Sequence, residues 1–209
     1  MIDAAVALER LQEGNQRFVK GLRCVETMMT HMKRGELTDG QEPFAIILGC
    51  SDSRVPAEIV FDQGLGDLFV IRVAGNIVAP SQIGSVEFAA SQFKTRLVVV
   101  LGHSQCGAIS ATVEELKRPK AEQSQNIKSI VDRIRPSVEP FNVTELWHDD
   151  KALVEQAMRA NVRASCNQLR HGSHILEDLS ENEGLLIVGA EYSLETGEVV
   201  FFDGLPQAE

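Results

Sequence analysis

Runs of consecutive apolar residues alternate along the chain with stretches whose apolar positions recur every three or four residues. The runs cover 44–49, 68–73, 97–101, 185–189 and 199–202. Each is short enough to be a strand, and continuous apolarity without alternation marks a strand covered on both faces. Helical periodicity fills the intervals: 3–19, a short helix after Pro56, 81–94 with Ser81 as its cap, 106–117 ending before Pro119, 124–135 and 150–170. In the first of these helices Ala4, Ala5, Leu8, Leu11, Gln12, Asn15 and Phe18 share roughly one side, and Gly21 stops it. The last turns Leu153, Ala157, Ala160, Val162, Ala164 and Leu169 inward. The polar, Met-containing segment 26–42 reads as a second short helix and a loop closing at Pro43.

Strands alternating with helices build a mostly parallel sheet with helices on both faces, so the expected class is α/β. With strands one and three as neighbours, the order is about 2-1-3-4. The turn Glu195-Thr196-Gly197 is too tight for a crossover, so the fifth strand should run antiparallel at an edge beside the fourth. The expected organisation is an N-terminal helical arm over residues 1–42 and a single α/β domain over 43–209. The apolar stripe of the arm must pack on its own core or on another subunit.

Composition narrows the partners. The chain has 209 residues, 44% of them apolar, enough for one domain with a sizeable core. A formal charge of −10 and a pI near 5.0, from acidic residues scattered without a tail, argue against nucleic acid or an anionic membrane surface. No apolar run approaches the roughly 18 residues of a membrane helix. Met1-Ile2-Asp3-Ala4-Ala5-Val6 has neither the basic start nor the apolar core of a signal peptide, so a cytoplasmic protein is expected. In a reducing compartment the four cysteines, Cys24, Cys50, Cys106 and Cys166, point to metal binding or catalysis before disulfides.

Two of those cysteines stand in a telling place. The first apolar run ends at Gly49 and is followed by Cys50-Ser51-Asp52-Ser53-Arg54; the third ends at Leu101 and is followed, after Gly102, by His103-Ser104-Gln105-Cys106. Taken alone, Cys50 reads more readily as a small buried hydrophobe than as a ligand, and a single His-x-x-Cys is a weak signal. Together they deliver two thiols and an imidazole to the carboxyl ends of two strands, where open parallel sheets gather their ligands. That set suits zinc, and three protein ligands leave the fourth position open, as in catalytic sites. Asp52 and Arg54, two residues apart, can pair so that the guanidinium aims the carboxylate. A cysteine nucleophile at Cys50 would leave His103 and Cys106 unexplained. His31, His148, His171 and His174 lie in polar surroundings, Cys24 and Cys166 read as free thiols, and Trp147 reads as packing between helices.

The combination of Cys50-Ser51-Asp52-Ser53-Arg54 with Gly102-His103-Ser104-Gln105-Cys106-Gly107 resembles the β-class carbonic anhydrases. The resemblance extends over Gly14-Asn15-Gln16-Arg17-Phe18, over 61–69 and over Arg72-Val73-Ala74-Gly75-Asn76. It implies one zinc per chain on Cys50, His103 and Cys106, with Asp52 and Arg54 as the catalytic pair. It implies reversible hydration of carbon dioxide to bicarbonate and a proton by a zinc-bound hydroxide. It also implies a homodimer or homotetramer whose N-terminal helices embrace the neighbouring subunit. Candidate substrate contacts are Gln63 and the backbone amides of Gly107 and Ala108 at a helix start. Two thiolates cancel the formal charge of the metal, so activity should rise on the alkaline side. Members with a second, non-catalytic bicarbonate site carry a Trp where this chain has Ile47, so that site is not expected, although Arg72 and Tyr192 match its other two positions. The same scaffold and ligands would also serve a carbonyl sulfide or carbon disulfide hydrolase, or a zinc-binding regulatory protein without turnover.

Overall fold

Five strands form one sheet in the computed structural model, which describes residues 2–24, 33–118 and 124–206. They are β1 (Ala45–Gly49), β2 (Leu68–Arg72), β3 (Leu97–His103), β4 (Leu186–Tyr192) and β5 (Val199–Asp203), in the order β2-β1-β3-β4-β5. The first four run parallel, and β5 pairs antiparallel with β4. The central strands β1 and β3 are buried along their whole length, as their unbroken apolar sequence requires. Two strands run farther than their apolar content suggests. β3 continues through Gly102 to His103 and β4 to Tyr192, with Gly102 opposite Glu191 and His103 opposite Tyr192. Backbone pairing carries the ladder past the point where hydrophobicity stops.

Among the described residues, seven α-helices cover the two faces: α1 (Ala4–Val19), α2 (Ala57–Val60), α3 (Pro80–Gln92), α4 (Gly107–Lys117), α5 (Gln125–Val138), α6 (Asp150–His171) and α7 (His174–Asn182). α3 starts one residue earlier than expected. Ala79 occupies the N-cap and Pro80 the first helical position, where its missing N–H costs nothing, and the Ser81 hydroxyl bonds Gln82 instead of capping. α7 has too few turns to show a periodic stripe in the sequence. Ser173 caps it by accepting from the Leu176 N–H, and it buries Leu176 and Leu179. Of the segment 26–42, residues Lys33–Asp39 form a 3-10 helix; its beginning, with His31, and Pro119 lie outside the described residues. No helix among the described residues is long and apolar enough to cross a membrane.

The arm packs on its own sheet. Ala7, Leu8 and Leu11 of α1 join Ile47, Val60, Phe61, Val99 and Tyr192 in one apolar cluster. Ala5 and Gln12, assigned to the inward side, are exposed, and Ala7 and Gly14 take their places. At Gly14 a Cβ would lie 1.9 Å from the Phe61 carbonyl oxygen, so only glycine admits this approach. Asn15 locks the contact: Nδ2 donates to the carbonyls of Val60 (3.1 Å) and Gly197 (2.9 Å), and Oδ1 accepts from the Val199 N–H (2.8 Å).

The opposite face is closed by α6, whose N-cap Asp149 accepts from the N–H groups of Lys151 and Ala152. Leu153, Ala157, Val162 and Leu169 are buried as expected; Ala164 is exposed, and Met158, Asn161, Ser165 and Cys166 face inward as well. The helix comes close because glycines floor the strands beneath it. A Cβ on Gly102 would stand 2.6 Å from both Met158 Sδ and Val162 Cγ2, and one on Gly189 2.8 Å from Val162 Cγ1. Trp147 packs against this core, with the Lys117 ammonium 4.9 Å from its ring centroid.

Candidate metal centre

Neighbouring β1 and β3 end side by side, with Gly49 opposite Leu101. Cys50 follows β1, His103 ends β3, and Cys106 is the N-cap residue of α4; all three are buried. Their ligand atoms lie within 4.8 Å of one another, and the Cys50 and Cys106 sulfurs are 4.0 Å apart. A tetrahedral zinc with bonds of about 2.3 Å to sulfur and about 2.0–2.1 Å to nitrogen needs sulfurs separated by roughly 3.8 Å and sulfur–nitrogen separations of roughly 3.5 Å. The imidazole supplies an independent test of fit. His103 Nδ1 pairs with the Ser104 carbonyl at 2.8 Å, which sets the tautomer and leaves Nε2 with its lone pair. That Nε2 is buried and has no hydrogen-bond partner. A fully buried nitrogen without a partner is costly unless a ligand completes it, and a zinc ion beside the two sulfurs would do so.

Without metal, the two thiols divide one proton between them. The hydrogen bond from Cys106 is the main influence holding Cys50 down, to about 4, against its burial; His103 and the N–H groups of Gly75 and Asp52 add to it. The same shared hydrogen bond, then burial, pushes Cys106 far up, opposed by the N–H groups of Ile109 and Ala108. Burial draws His103 down, but the Cys50 thiolate beside it outweighs that and leaves its pKa raised. Binding a divalent cation replaces the shared proton and makes both sulfurs thiolates.

Asp52 and Arg54 pair as expected. Asp52 Oδ1 accepts from the Arg54 backbone N–H (3.0 Å) and Nε (2.9 Å), and Oδ2 from Nη2 (2.8 Å). The side-chain bonds from Arg54 hold the Asp52 carboxyl well below the usual carboxylate range. Oδ2 also lies 3.9 Å from His103 Nε2, so the carboxylate faces the position between the ligands.

The three candidate substrate contacts are not gathered in the same way. Gly107 is exposed at the first position of α4. The Ala108 amide is directed to the Cys106 sulfur. Gln63 is tied to the arm side: its amide Nε2 donates to the Phe61 carbonyl (2.7 Å) and its Oε1 accepts from Arg10 Nε (3.1 Å). Arg72 and Tyr192 stand on β2 and β4, separated by two strands, and Arg72 is committed to the ligand loop, donating to the carbonyls of Cys50 (3.0 Å) and Asp52 (2.5 Å).

Sequence reasoning missed Arg72 in that role, and it missed Gly75 and Asn161. The Gly75 N–H meets Cys50 Sγ at 3.4 Å, and Asn161 of α6 donates to the Gly75 carbonyl at 2.8 Å. A signal was present. Leu153, Ala157, Asn161, Ser165 and Leu169 form an unbroken row at every fourth position, and polar residues inside an apolar row need a partner.

Known proteins agree with this arrangement. A family model described as carbonic anhydrase matches residues 45–199. Carbonic anhydrase 2 of Mycobacterium tuberculosis is 36% identical over 197 residues, covering 94% of this chain and 92% of the relative. The carbonic anhydrase of Mycolicibacterium smegmatis is 38% identical over 193 residues, covering 92% and 90%. Among solved structures, tetrameric β-carbonic anhydrases from Sordaria macrospora superpose with a TM-score of 0.73 at 22% identity, over 88% of this chain and 91% of theirs, a likeness of fold. The match spans the sheet, both ligand motifs and most of the covering helices, and by it the chain belongs to the β-class carbonic anhydrase family.

Proposed function

We propose that the chain catalyses the reversible hydration of carbon dioxide to bicarbonate and a proton, with one zinc ion held by Cys50, His103 and Cys106. The observation that carries this reading is the buried, unpartnered His103 Nε2 lying within ligand distance of two cysteine sulfurs. When bound, zinc supplies the Lewis acidity that brings the pKa of a water toward about 7 in favourable sites. Asp52 remains ionised through the working range because Arg54 holds its pKa down. Its Oδ2 therefore accepts a hydrogen bond from the nucleophilic water and orients it, without taking the proton for itself. Arg54 fixes the direction of that carboxylate, and Arg72 fixes the loop that carries it. The Gly107 amide keeps its proposed place as a donor to the forming carboxylate. Ala108 serves the Cys106 sulfur, and Gln63 contributes only if released from Phe61 and Arg10.

A cytoplasmic homodimer or homotetramer is part of the proposal, supported by the tetrameric Sordaria macrospora relatives. The buried stripe of α1 is used within the chain, so an embrace of the neighbouring subunit by the arm would cover Val6, Val19 and Leu22, which are exposed. The deciding experiment is metal analysis with stopped-flow carbon dioxide hydration on wild type and Cys106→Ala. Wild type should carry one zinc per chain and turn over, and C106A should lose both. An active protein free of metal overturns the proposal. Sulfide release from carbonyl sulfide or carbon disulfide without hydration activity moves the reading to a hydrolase, and zinc without either activity moves it to a regulatory protein.

A further inference from the structure

The turn after β2 reaches back to the first ligand. Gly75 and Asn76 both have left-handed backbones, with φ of 68° and 43°, a conformation that glycine adopts freely and asparagine tolerates. Gly75 is also hemmed in: a Cβ there would lie 2.7 Å from Ile134 Cδ1 and 3.1 Å from Ala108 Cβ. This geometry turns the Gly75 N–H onto Cys50 Sγ at 3.4 Å. Two buried side chains of α6, one turn apart, hold the turn from behind. Asn161 Nδ2 donates to the Gly75 carbonyl at 2.8 Å, and Ser165 Oγ to the Asn76 carbonyl at 3.1 Å. Asn161 is 2% exposed and sits in a buried row with Leu153, Ala157, Ser165 and Leu169. An amide so placed is tolerated only when it is hydrogen-bonded, and the bond it makes is to Gly75.

We infer that Asn161 is a positioning residue for the metal centre, acting through the Gly75 peptide to aim an N–H at the Cys50 sulfur. The inference rests on reading Cys50 as a zinc ligand. An N–H bonded to a thiolate withdraws electron density from the sulfur, so that it donates less to a cation, and groups outside the ligand set commonly tune a metal in this way. Cys106 receives the same treatment from the N–H groups of Ala108 and Ile109 at the start of α4. With both sulfurs so bonded, a dithiolate site keeps more of the Lewis acidity that two negative ligands would otherwise cancel. Removing Asn161 frees the Gly75 peptide to rotate, which leaves the Cys50 sulfur more electron-rich but no longer held in place for a metal, and the lost placement outweighs the gain in donation.

The test uses cobalt(II) as the probe in the full chain. Wild type should take up one cobalt with a sulfur-to-cobalt charge-transfer band. In Asn161→Ala that band should move to longer wavelength, and cobalt and zinc affinity, measured by chelator competition, should fall about tenfold, the lower end of what such supporting residues typically contribute. Ser165→Ala removes a comparable bond from the same helix face but not the one to Gly75, and it should leave the band in place. Asn161→Asp, matched in size but lacking the amide donor, gives the same readings if thermal melts show that N161A does not hold its fold. In wild type loaded with cadmium-113, the Gly75 amide proton should show scalar coupling to the metal, and its absence overturns the inference whatever the variants do. An unshifted band with affinity within twofold of wild type in N161A also overturns it. So does an equal shift in S165A, which would mark general loosening of α6. A wild type that takes up no cobalt overturns the metal reading itself, and this inference with it.

Discussion

Asp52→Asn is the sharpest test of how the site orients its water. The substitution preserves shape and volume and removes one acceptor. Placed with its oxygen at the Oδ1 position, the amide keeps two of the three bonds from Arg54, those from the backbone N–H and Nε at 3.0 and 2.9 Å. The third becomes a donor facing a donor, because an NH2 group now meets Arg54 Nη2 across the 2.8 Å that Oδ2 spanned. That NH2 also replaces the oxygen lying 3.9 Å from His103 Nε2, so no acceptor remains beside the three ligands. Removing one preorganised hydrogen-bond partner of the reacting group commonly costs about 10²–10³ in kcat. The ligands and the paired geometry largely survive, which places the loss at the lower end, about a hundredfold in kcat, or about 2.7 kcal/mol of barrier. The assay is stopped-flow carbon dioxide hydration at alkaline pH, with zinc content measured on the same preparation. Turnover within threefold of wild type at full zinc occupancy refutes the orienting role. Loss of zinc would refute it differently, by showing that Asp52 supports the metal. The sign with pH follows from the depressed pKa: the stabilisation of the Asp52–Arg54 pair is complete above about pH 4, the ordinary value of an aspartate, and is lost only as pH falls through the lowered native value.

Two further outcomes are expected. Gly102→Ala places a Cβ 2.6 Å from Met158 Sδ and Val162 Cγ2, an overpacking that typically costs about 1–3 kcal/mol and should lower Tm by roughly 2–12 °C in a chain of this size; an unchanged thermal melt would show that α6 does not sit as close to β3 as described. Hydration activity should rise between pH 6 and 9, because two thiolates leave the zinc a weaker acid than three neutral histidines would, and a flat stopped-flow profile across that range counts against a dithiolate zinc site.

The three candidate metal ligands and the sheet were legible for the same reason. Continuous apolar runs mark parallel strands, Gly49 and Gly102 mark where the apolar runs give out, at or one residue before the strand ends, and the residues there lie where this kind of sheet collects ligands. The Asp52–Arg54 pair was legible because two positions along a loop suffice for a forked contact. What the sequence concealed depends on approach between elements distant along the chain. The stripe of α1 demanded a partner surface, but only the Gly14 contact with Phe61 and the three bonds of Asn15 show that this surface is its own sheet. Gln63 looked available beside a strand because nothing in its neighbourhood announces Arg10, fifty-three residues earlier, as its partner. Asn161 is hidden in the sequence because helical periodicity is carried by the apolar positions, and a polar residue among them breaks no pattern. Its row, Leu153, Ala157, Asn161, Ser165 and Leu169, reverses that logic: on a face otherwise committed to burial, the polar positions are the ones that must meet a specific backbone group. Here that group is the peptide that turns an N–H onto the Cys50 sulfur, so the polar interruption of an apolar face connects α6 to Cys50.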